Sequence, residues 1–371
     1  MFRCIPALAA MLAVIPVLAD DGLDLRVRRF SYPPAVLQAM GPSLSGEVTI
    51  PFRVDRSLDY LLDISEEELS GPQRRPARDV WDRIRNGLAM KPLRESLVAE
   101  RERWYRQRKD LVVAVSAKAR RYLHHIVEAV ERRGLPMELA LLPFVESGFE
   151  PNALSRAQAA GLWQFIPGTA QRYRLRLDDR YDARRDIVAS TDAALDYLEF
   201  LHGWFKDWHL ALAAYNWGEE AVQRAIQRNQ ARGLPADYES LVLPAETRHY
   251  VPRLMAVRSL VLNPARHGIE LAEIPNAPYF KGVELAIELD APTVARLAGL
   301  PVGEVLALNP SYRSGIISGR GRPPVLLPAD RVEEFMRGIS ALPVKLRPAK
   351  SRREVGRKAV IGLRSTDGRT L

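Results

Sequence analysis

Between residues 139 and 149 the chain reads Leu-Ala-Leu-Leu-Pro-Phe-Val-Glu-Ser-Gly-Phe, so that a lone carboxylate, Glu146, follows seven uncharged, mainly apolar residues. A carboxyl group in dry surroundings loses the hydration that stabilises its ionised form, and its pKa rises toward the value a general acid needs near neutral pH. The same pattern also fits a carboxylate pointing to water at a helix end, and this stretch alone weighs the two evenly. Two further stretches, Gly161-Leu162-Trp163-Gln164-Phe165-Ile166-Pro167 and Ala213-Ala214-Tyr215-Asn216-Trp217-Gly218, set aromatic rings beside amide and hydroxyl groups, a combination suited to flat sugar faces rimmed by hydroxyls. Any single ring is more often a core aromatic with a satisfied polar tip. Four of the six tryptophans fall between 163 and 217, and that clustering favours a binding surface.

The elements that must position these residues read as helices. Trp81, Ile84 and Leu88 recur at helical spacing, as do Leu123, Ile126, Val127 and Val130, and these stripes are core faces. Gly134-Leu135-Pro136 ends one helix and opens a short apolar one. Ser190-Thr191-Asp192 is expected to cap a helix whose Ala194, Leu198, Leu201 and Phe205 share a face, and Asp207 begins another through Tyr215. Val222, Ala225 and Ile226 mark one more, so residues 115–265 are nearly all helix. After Pro275 the character changes: residues 283–289 alternate like a strand, 293–300 and 302–308 look like two short helices, and 325–327 return as a strand.

Taken together, these motifs resemble those of the lytic murein transglycosylases, in particular their membrane-bound lytic murein transglycosylase D branch. The resemblance rests on Glu146-Ser147, Gly161-Leu162-Trp163-Gln164, Ala214-Tyr215-Asn216 and Glu246-Thr247-Arg248-His249-Tyr250-Val251-Pro252, in order and spacing, and covers about residues 80–330. It implies a mainly α protein: a lysozyme-like helical transglycosylase domain over 111–270, preceded by an extension that is irregular and then helical over 20–110. A small C-terminal α+β module of βααβ order follows over 276–335, where residues 283–328, with Leu308-Asn309-Pro310, look like one degenerate LysM copy. The family's catalytic glutamate falls on Glu146, with Ser147 in the same motif, and its substrate contacts fall on Ser155, Gln164, Tyr215, Asn216 and Glu246. The related soluble enzymes carry methionine where Ile166 stands. No cofactor and no metal is implied.

Ordinary glycosidases flank the bond with two carboxylates. The resemblance implies one, cleaving the β-1,4 bond between N-acetylmuramic acid and N-acetylglucosamine in peptidoglycan glycan strands to leave a 1,6-anhydromuramyl product. The nearest rival is a hydrolytic muramidase of the goose-type lysozyme kind, which needs a second carboxylate to activate water. Asp178, Asp179, Asp182 and Asp186 lie in a charged stretch whose simpler reading is a solvated loop. A second rival is a non-catalytic wall-binding scaffold.

Bulk properties bound the remaining choices. The chain has 371 residues, 47% of them hydrophobic, enough to bury a sizeable core in two or three units. Residues 1–19 carry an apolar run of about fifteen residues, short of the roughly twenty a membrane span wants, and read as a signal peptide that is removed. Cys4 is the only cysteine; it precedes the apolar run, which argues against a lipid anchor and leaves the mature chain without a thiol nucleophile, disulfide or thiolate metal site. His124 and His125 diverge by about 100° on a helix and do not share an ion. The net charge of +9 favours an anionic partner, and export to the periplasm removes nucleic acid from contention. Part of the excess sits in a basic tail, residues 341–371, where seven basic residues face one acid between Lys345 and Lys358; it is read as a flexible end able to touch wall or membrane. A monomer is expected.

Overall fold

The computed structural model describes the backbone of residues 17–19 and 22–24, and residues 77–342 apart from 286, 318, 320 and 321. The leader, most of the lead-in up to residue 76 and the basic tail from residue 343 therefore lie outside the described residues. The chain divides into two compact units, Met1–Pro72 and Gln73–Leu371. In the first, β1 (Val17–Ala19) pairs antiparallel with β2 (Gly22–Asp24).

The second unit is mainly helical, as expected. α1 (Val80–Gly87) starts where Asp79 accepts the amide of Asp82 at 2.9 Å, and it buries Val80, Trp81 and Ile84. α2 (Glu95–Arg106) and α3 (Lys109–Ala119) lead into α4 (Leu123–Arg132), whose Leu123, Ile126, Val127 and Val130 are fully buried. A 3₁₀ turn at Met137–Leu141 runs into α5 (Leu142–Glu146), with Pro143 in its first turn, where the missing N–H does no harm. α6 (Pro167–Arg172), α7 (Ile187–Phe205), α8 (Trp208–Trp217), α9 (Glu219–Gln230) and α10 (Ala245–Leu262) complete the helical body.

The cap of α7 differs from expectation. Asp186 is the capping residue, accepting the amides of Val188 and Ala189 at 2.9 and 2.8 Å. Ser190 and Thr191 lie inside the helix, where their hydroxyls return to the carbonyls of Asp186 and Ile187 four residues back. Pro252 sits within α10 and cannot supply the amide that the carbonyl of Arg248 would otherwise receive. The buried Tyr238 hydroxyl donates to that carbonyl at 2.9 Å and to the neighbouring Thr247 carbonyl at 2.9 Å.

The C-terminal module contains two antiparallel pairs. β3 (Phe280–Val283) pairs with β6 (Val325–Pro328), and β4 (Leu289–Asp290) pairs with β5 (Ile316–Ile317). In chain order α11 (Ala291–Leu297) and α12 (Val302–Leu308) fall between β4 and β5, and α13 (Val332–Ser340) closes the module. The first strand thus precedes the alternating stretch 283–289. Val283 and Leu285 are both buried and mimic a strand, but the ladder is made by 280–283, whose exposure does not alternate. Among the described residues no single helix is long and apolar enough to cross a membrane.

Candidate active site

Seven uncharged residues carry the chain through the core to Glu146: Leu139, Leu141 and Leu142 are fully buried, and Phe144 nearly so. The helix stops at Glu146 because Gly148 (φ 58°) and Phe149 (φ 55°) turn left-handed and the amides of Ser147 and Phe149 both return to the Pro143 carbonyl at 3.1 Å. Glu146 is consequently half-buried, with its carboxyl in a cleft of about 540 Å³.

Burial pushes the Glu146 carboxyl up to about 7. The Tyr250 hydroxyl, which donates to Oε1, opposes that rise; the Glu246 carboxylate adds to it and the Arg253 guanidinium subtracts from it. Tyr250 is itself buried, and desolvation followed by the nearby Glu146 charge holds its hydroxyl far above the ordinary phenol range, so it stays a donor. The side chains of Glu246, Tyr250 and Arg253 recur along α10 at four- and three-residue spacing and line the same cleft.

Another part of the lining comes from the loop 155–166 and, through Thr169, from the first turn of α6. The form of the loop depends on Gly161, where φ is +83° and an added Cβ would lie 1.9 Å from the carbonyl oxygen of Arg184. Gln164 also adopts a left-handed backbone (φ 50°), and its amide nitrogen donates to the Gly161 carbonyl at 2.8 Å. From behind, the buried Arg184 donates to the carbonyls of Gln158 (2.6 Å) and Phe165 (3.2 Å) and forks onto both oxygens of buried Asp182 at 2.9 and 2.8 Å. Asp182 is 1% exposed, so the reading of 177–186 as a solvated loop fails there. Asp178 and Asp179 are exposed, Asp186 is spent on its helix cap and on the Tyr181 hydroxyl, and none of the four lines the cleft.

Six of the seven residues singled out from sequence, Glu146, Ser155, Gln164, Tyr215, Asn216 and Glu246, line this one cleft. Ser147 does not line it: its hydroxyl donates to the Leu162 carbonyl at 3.0 Å and ties the end of α5 to the loop. Tyr215 donates to the Trp163 carbonyl at 2.8 Å, and Asn216 accepts from the Thr247 hydroxyl at 2.8 Å. Of the four clustered tryptophans only Trp217 lines the cleft; Trp163 is fully buried with its indole N–H on Thr191. Sequence reasoning missed Tyr250, Arg253, Tyr197 and Glu219. Glu219 pairs with Arg172 and accepts from Tyr197 at 2.8 Å, and these contacts hold its carboxyl below the usual range although burial pushes the other way.

Comparisons with known proteins fit this picture. Residues 125–235 match the family model of the transglycosylase SLT domain, and residues 283–341 match that of the lytic transglycosylase MltD LysM-like domain. Over 267 residues the sequence is 36% identical to membrane-bound lytic murein transglycosylase D of Escherichia coli strain K12, covering 72% of this chain and 59% of that protein. The chain thus spans 59% of the length of that relative. Membrane-bound lytic murein transglycosylase C of Mannheimia succiniciproducens is 34% identical over 130 residues, 31% of this chain and 36% of that protein. A solved structure of the lytic transglycosylase Slt from Pseudomonas aeruginosa matches 39% of this chain and 24% of its own, at 24% identity and a TM-score of 0.31. Glu246, Tyr250 and Arg253 lie beyond the SLT match, so the α10 wall of the cleft is outside it. Residues 125–235 thus match the transglycosylase SLT domain family and residues 283–341 the MltD LysM-like domain family, within a chain that is similar to membrane-bound lytic murein transglycosylase D over 72% of its length.

Proposed function

We propose that the protein is a peptidoglycan lytic transglycosylase in which Glu146 serves first as general acid and then as general base. One observation supports the reading: a half-buried carboxyl raised to about 7 lines a cleft shared with aromatic, amide and hydroxyl side chains. Glu219 is held by Arg172 and Tyr197, and Glu246 is exposed to solvent. With a single poised group, the protonated Glu146 donates to the glycosidic oxygen between N-acetylmuramic acid and N-acetylglucosamine as that bond breaks. The carboxylate left behind takes the proton of the muramyl 6-hydroxyl as its oxygen bonds to the anomeric carbon. A 1,6-anhydro ring closes, Glu146 is reprotonated, and no water is consumed. Because both reacting atoms belong to one sugar, the effective concentration of the hydroxyl exceeds anything free water offers.

In this reading the Gln164 side-chain oxygen accepts from the acetamido N–H, since its amide nitrogen is already bonded to Gly161. Asn216 presents its amide N–H groups, and Tyr215, Ser155 and Glu246 line the sugar subsites. Ser147 acts as a positioning residue through its bond to the loop. We also assign residues 111–270 to the catalytic body and 276–335 to an accessory module, and place the action on the peptidoglycan side of the envelope. Both relatives are named membrane-bound, which runs against the expectation of a chain without a lipid anchor.

Digestion of purified sacculi followed by mass spectrometry of the soluble fragments tests the chemistry: anhydro products are lighter by one water than reducing-end products. Glu146→Gln is expected to abolish turbidity clearing. Reducing-end products would instead establish a hydrolase, and clearing that survives the substitution would remove Glu146 from its role.

A further inference from the structure

Arg253 lines the cleft beside Glu146, yet its guanidinium makes no ion pair or hydrogen bond with any described residue. Several other partly or wholly buried arginines have carboxylate partners, Arg121 with Glu304, Arg184 with Asp182 and Arg258 with Glu138, and the partly buried Arg248 donates to the Leu241 carbonyl at 2.6 Å. Arg253 is also half-buried, so water does not fully compensate its charge. Its position works against an acid role for Glu146, because a nearby cation favours the ionised carboxylate. An anionic ligand group would satisfy the guanidinium and cancel that opposing field together.

We propose that Arg253 is a recognition site for a carboxylate carried by the glycan substrate. This rests on the glycan-cleaving reading of the same cleft. A planar guanidinium offers paired N–H donors that match the two oxygens of a carboxylate, which is a stronger and more directional contact than a point charge provides. Peptidoglycan supplies carboxylates from two sources: the peptide stem, and the lactyl group of N-acetylmuramic acid once the stem has been removed. Either one, seated on Arg253, leaves Glu146 free of the cation's pull and favours its protonated form only when an acidic strand is bound. A neutral polysaccharide would fill the sugar subsites without that effect, so Arg253 would separate wall glycan from its uncharged analogues.

The test is calorimetric binding to the full chain carrying Glu146→Gln, which prevents turnover, with Arg253 intact, Arg253→Gln or Arg253→Lys. Three probes of equal length are used: stem-bearing glycan fragments, fragments stripped of their stems, and neutral N-acetylglucosamine oligomers. The expected result is that Arg253→Gln weakens one or both acidic probes about tenfold, the effect of removing one charge-assisted hydrogen-bonded pair, while the neutral oligomer changes less than about twofold. Arg253→Lys, which keeps the charge but loses the paired donors, should bind the acidic probes more weakly than the protein with Arg253 intact and more tightly than Arg253→Gln. A weakening confined to the stem-bearing probe assigns the stem; a weakening of the stripped probe assigns the lactyl carboxylate. An equal weakening of the neutral oligomer, or none on either acidic probe, overturns the proposal while leaving the cleft a glycan site. If the protein with Arg253 intact binds none of the three, the glycan-cleaving reading falls and this assignment falls with it. Unchanged thermal melting of Arg253→Gln separates impaired recognition from impaired folding.

Discussion

At the scale of single residues, the proposed chemistry turns on the protonation of Glu146. Its folded pKa of about 7 lies above the ordinary 4.5, chiefly through desolvation. The fold therefore favours the protonated acid, and the stability this contributes is fully present below about pH 4.5 and is lost as pH rises to about 7. The difference amounts to something on the order of 3 kcal/mol. Glu146→Gln keeps an acceptor for the Tyr250 hydroxyl and carries no charge, so it is expected to be more stable than the parent at pH 8 by about 2–3 kcal/mol and nearly equal to it at pH 4. Urea melts at the two pH values measure this, and equal stabilities at pH 8 would show that the carboxyl is solvated. In the parent, kcat/KM should fall about tenfold per unit above pH 7, as the proton to be donated is lost.

The dryness around Glu146 was only half legible in the sequence: seven uncharged residues in a row pointed to it, but the same stretch fitted a carboxylate facing water at a helix end equally well, and the fold decided between them. Tyr250 was not legible: it stands 104 residues away, and the tyrosine in the quoted Glu246–Pro252 motif announces itself only through the four-residue spacing from Glu246 once both lie on one helix. Asp182 misled for a different reason. A dense charged stretch resembles a solvated loop, and only the fold reveals that the carbonyls of Gln158 and Phe165 need a buried donor, which brings Arg184 inside and its counterion with it.

At the scale of elements, the helical stripes were readable because burial imposes a 3.6-residue period, and α4 and α7 follow it. The strand of the C-terminal module was misplaced because β3 shows no alternation, leaving nothing in the side chains to report the ladder. The break in α10 carries its own remedy in Tyr238, whose hydroxyl replaces the amide that Pro252 lacks. Tyr238→Phe leaves the Arg248 and Thr247 carbonyls without this donor in a protein interior and should cost about 1–3 kcal/mol in chemical denaturation. A loss under about 0.5 kcal/mol would mean that water reaches those carbonyls and that the hydroxyl is dispensable. Since Tyr250 precedes Pro252 and Arg253 follows it, slackening this turn should also lower activity at a pH where Glu146 is protonated.

At the scale of the whole second unit, the C-terminal module is anchored to the helical body through specific contacts. Arg121 forks onto Glu304, which also accepts from Tyr279, and the Tyr122 hydroxyl donates to the Ala307 carbonyl at 3.0 Å. The Asp182 amide donates to the Ser311 carbonyl at 2.9 Å, the Arg313 amide donates to that of Arg180 at 3.0 Å, and the rings of Tyr181 and Tyr312 meet edge to face. Residues 73–342 should accordingly melt in one calorimetric transition, and truncation after residue 275 should lower the midpoint by about 10 °C, a few kcal/mol spread over some 200 residues. Two separate transitions in the intact chain would contradict this coupling.

The attachment through residues 180–182 bears on how such a chain can be rearranged. That segment abuts Arg184, whose other contacts hold the Gln158 and Phe165 carbonyls of the cleft-lining loop. The module is thus no interchangeable bead on a string. Transplanting it to another helical body without a matching 178–186 loop would take away the amide that the Ser311 carbonyl receives and the ring that Tyr312 meets, and replacing it here with a foreign tail would leave the loop behind Gln164 missing part of its scaffolding.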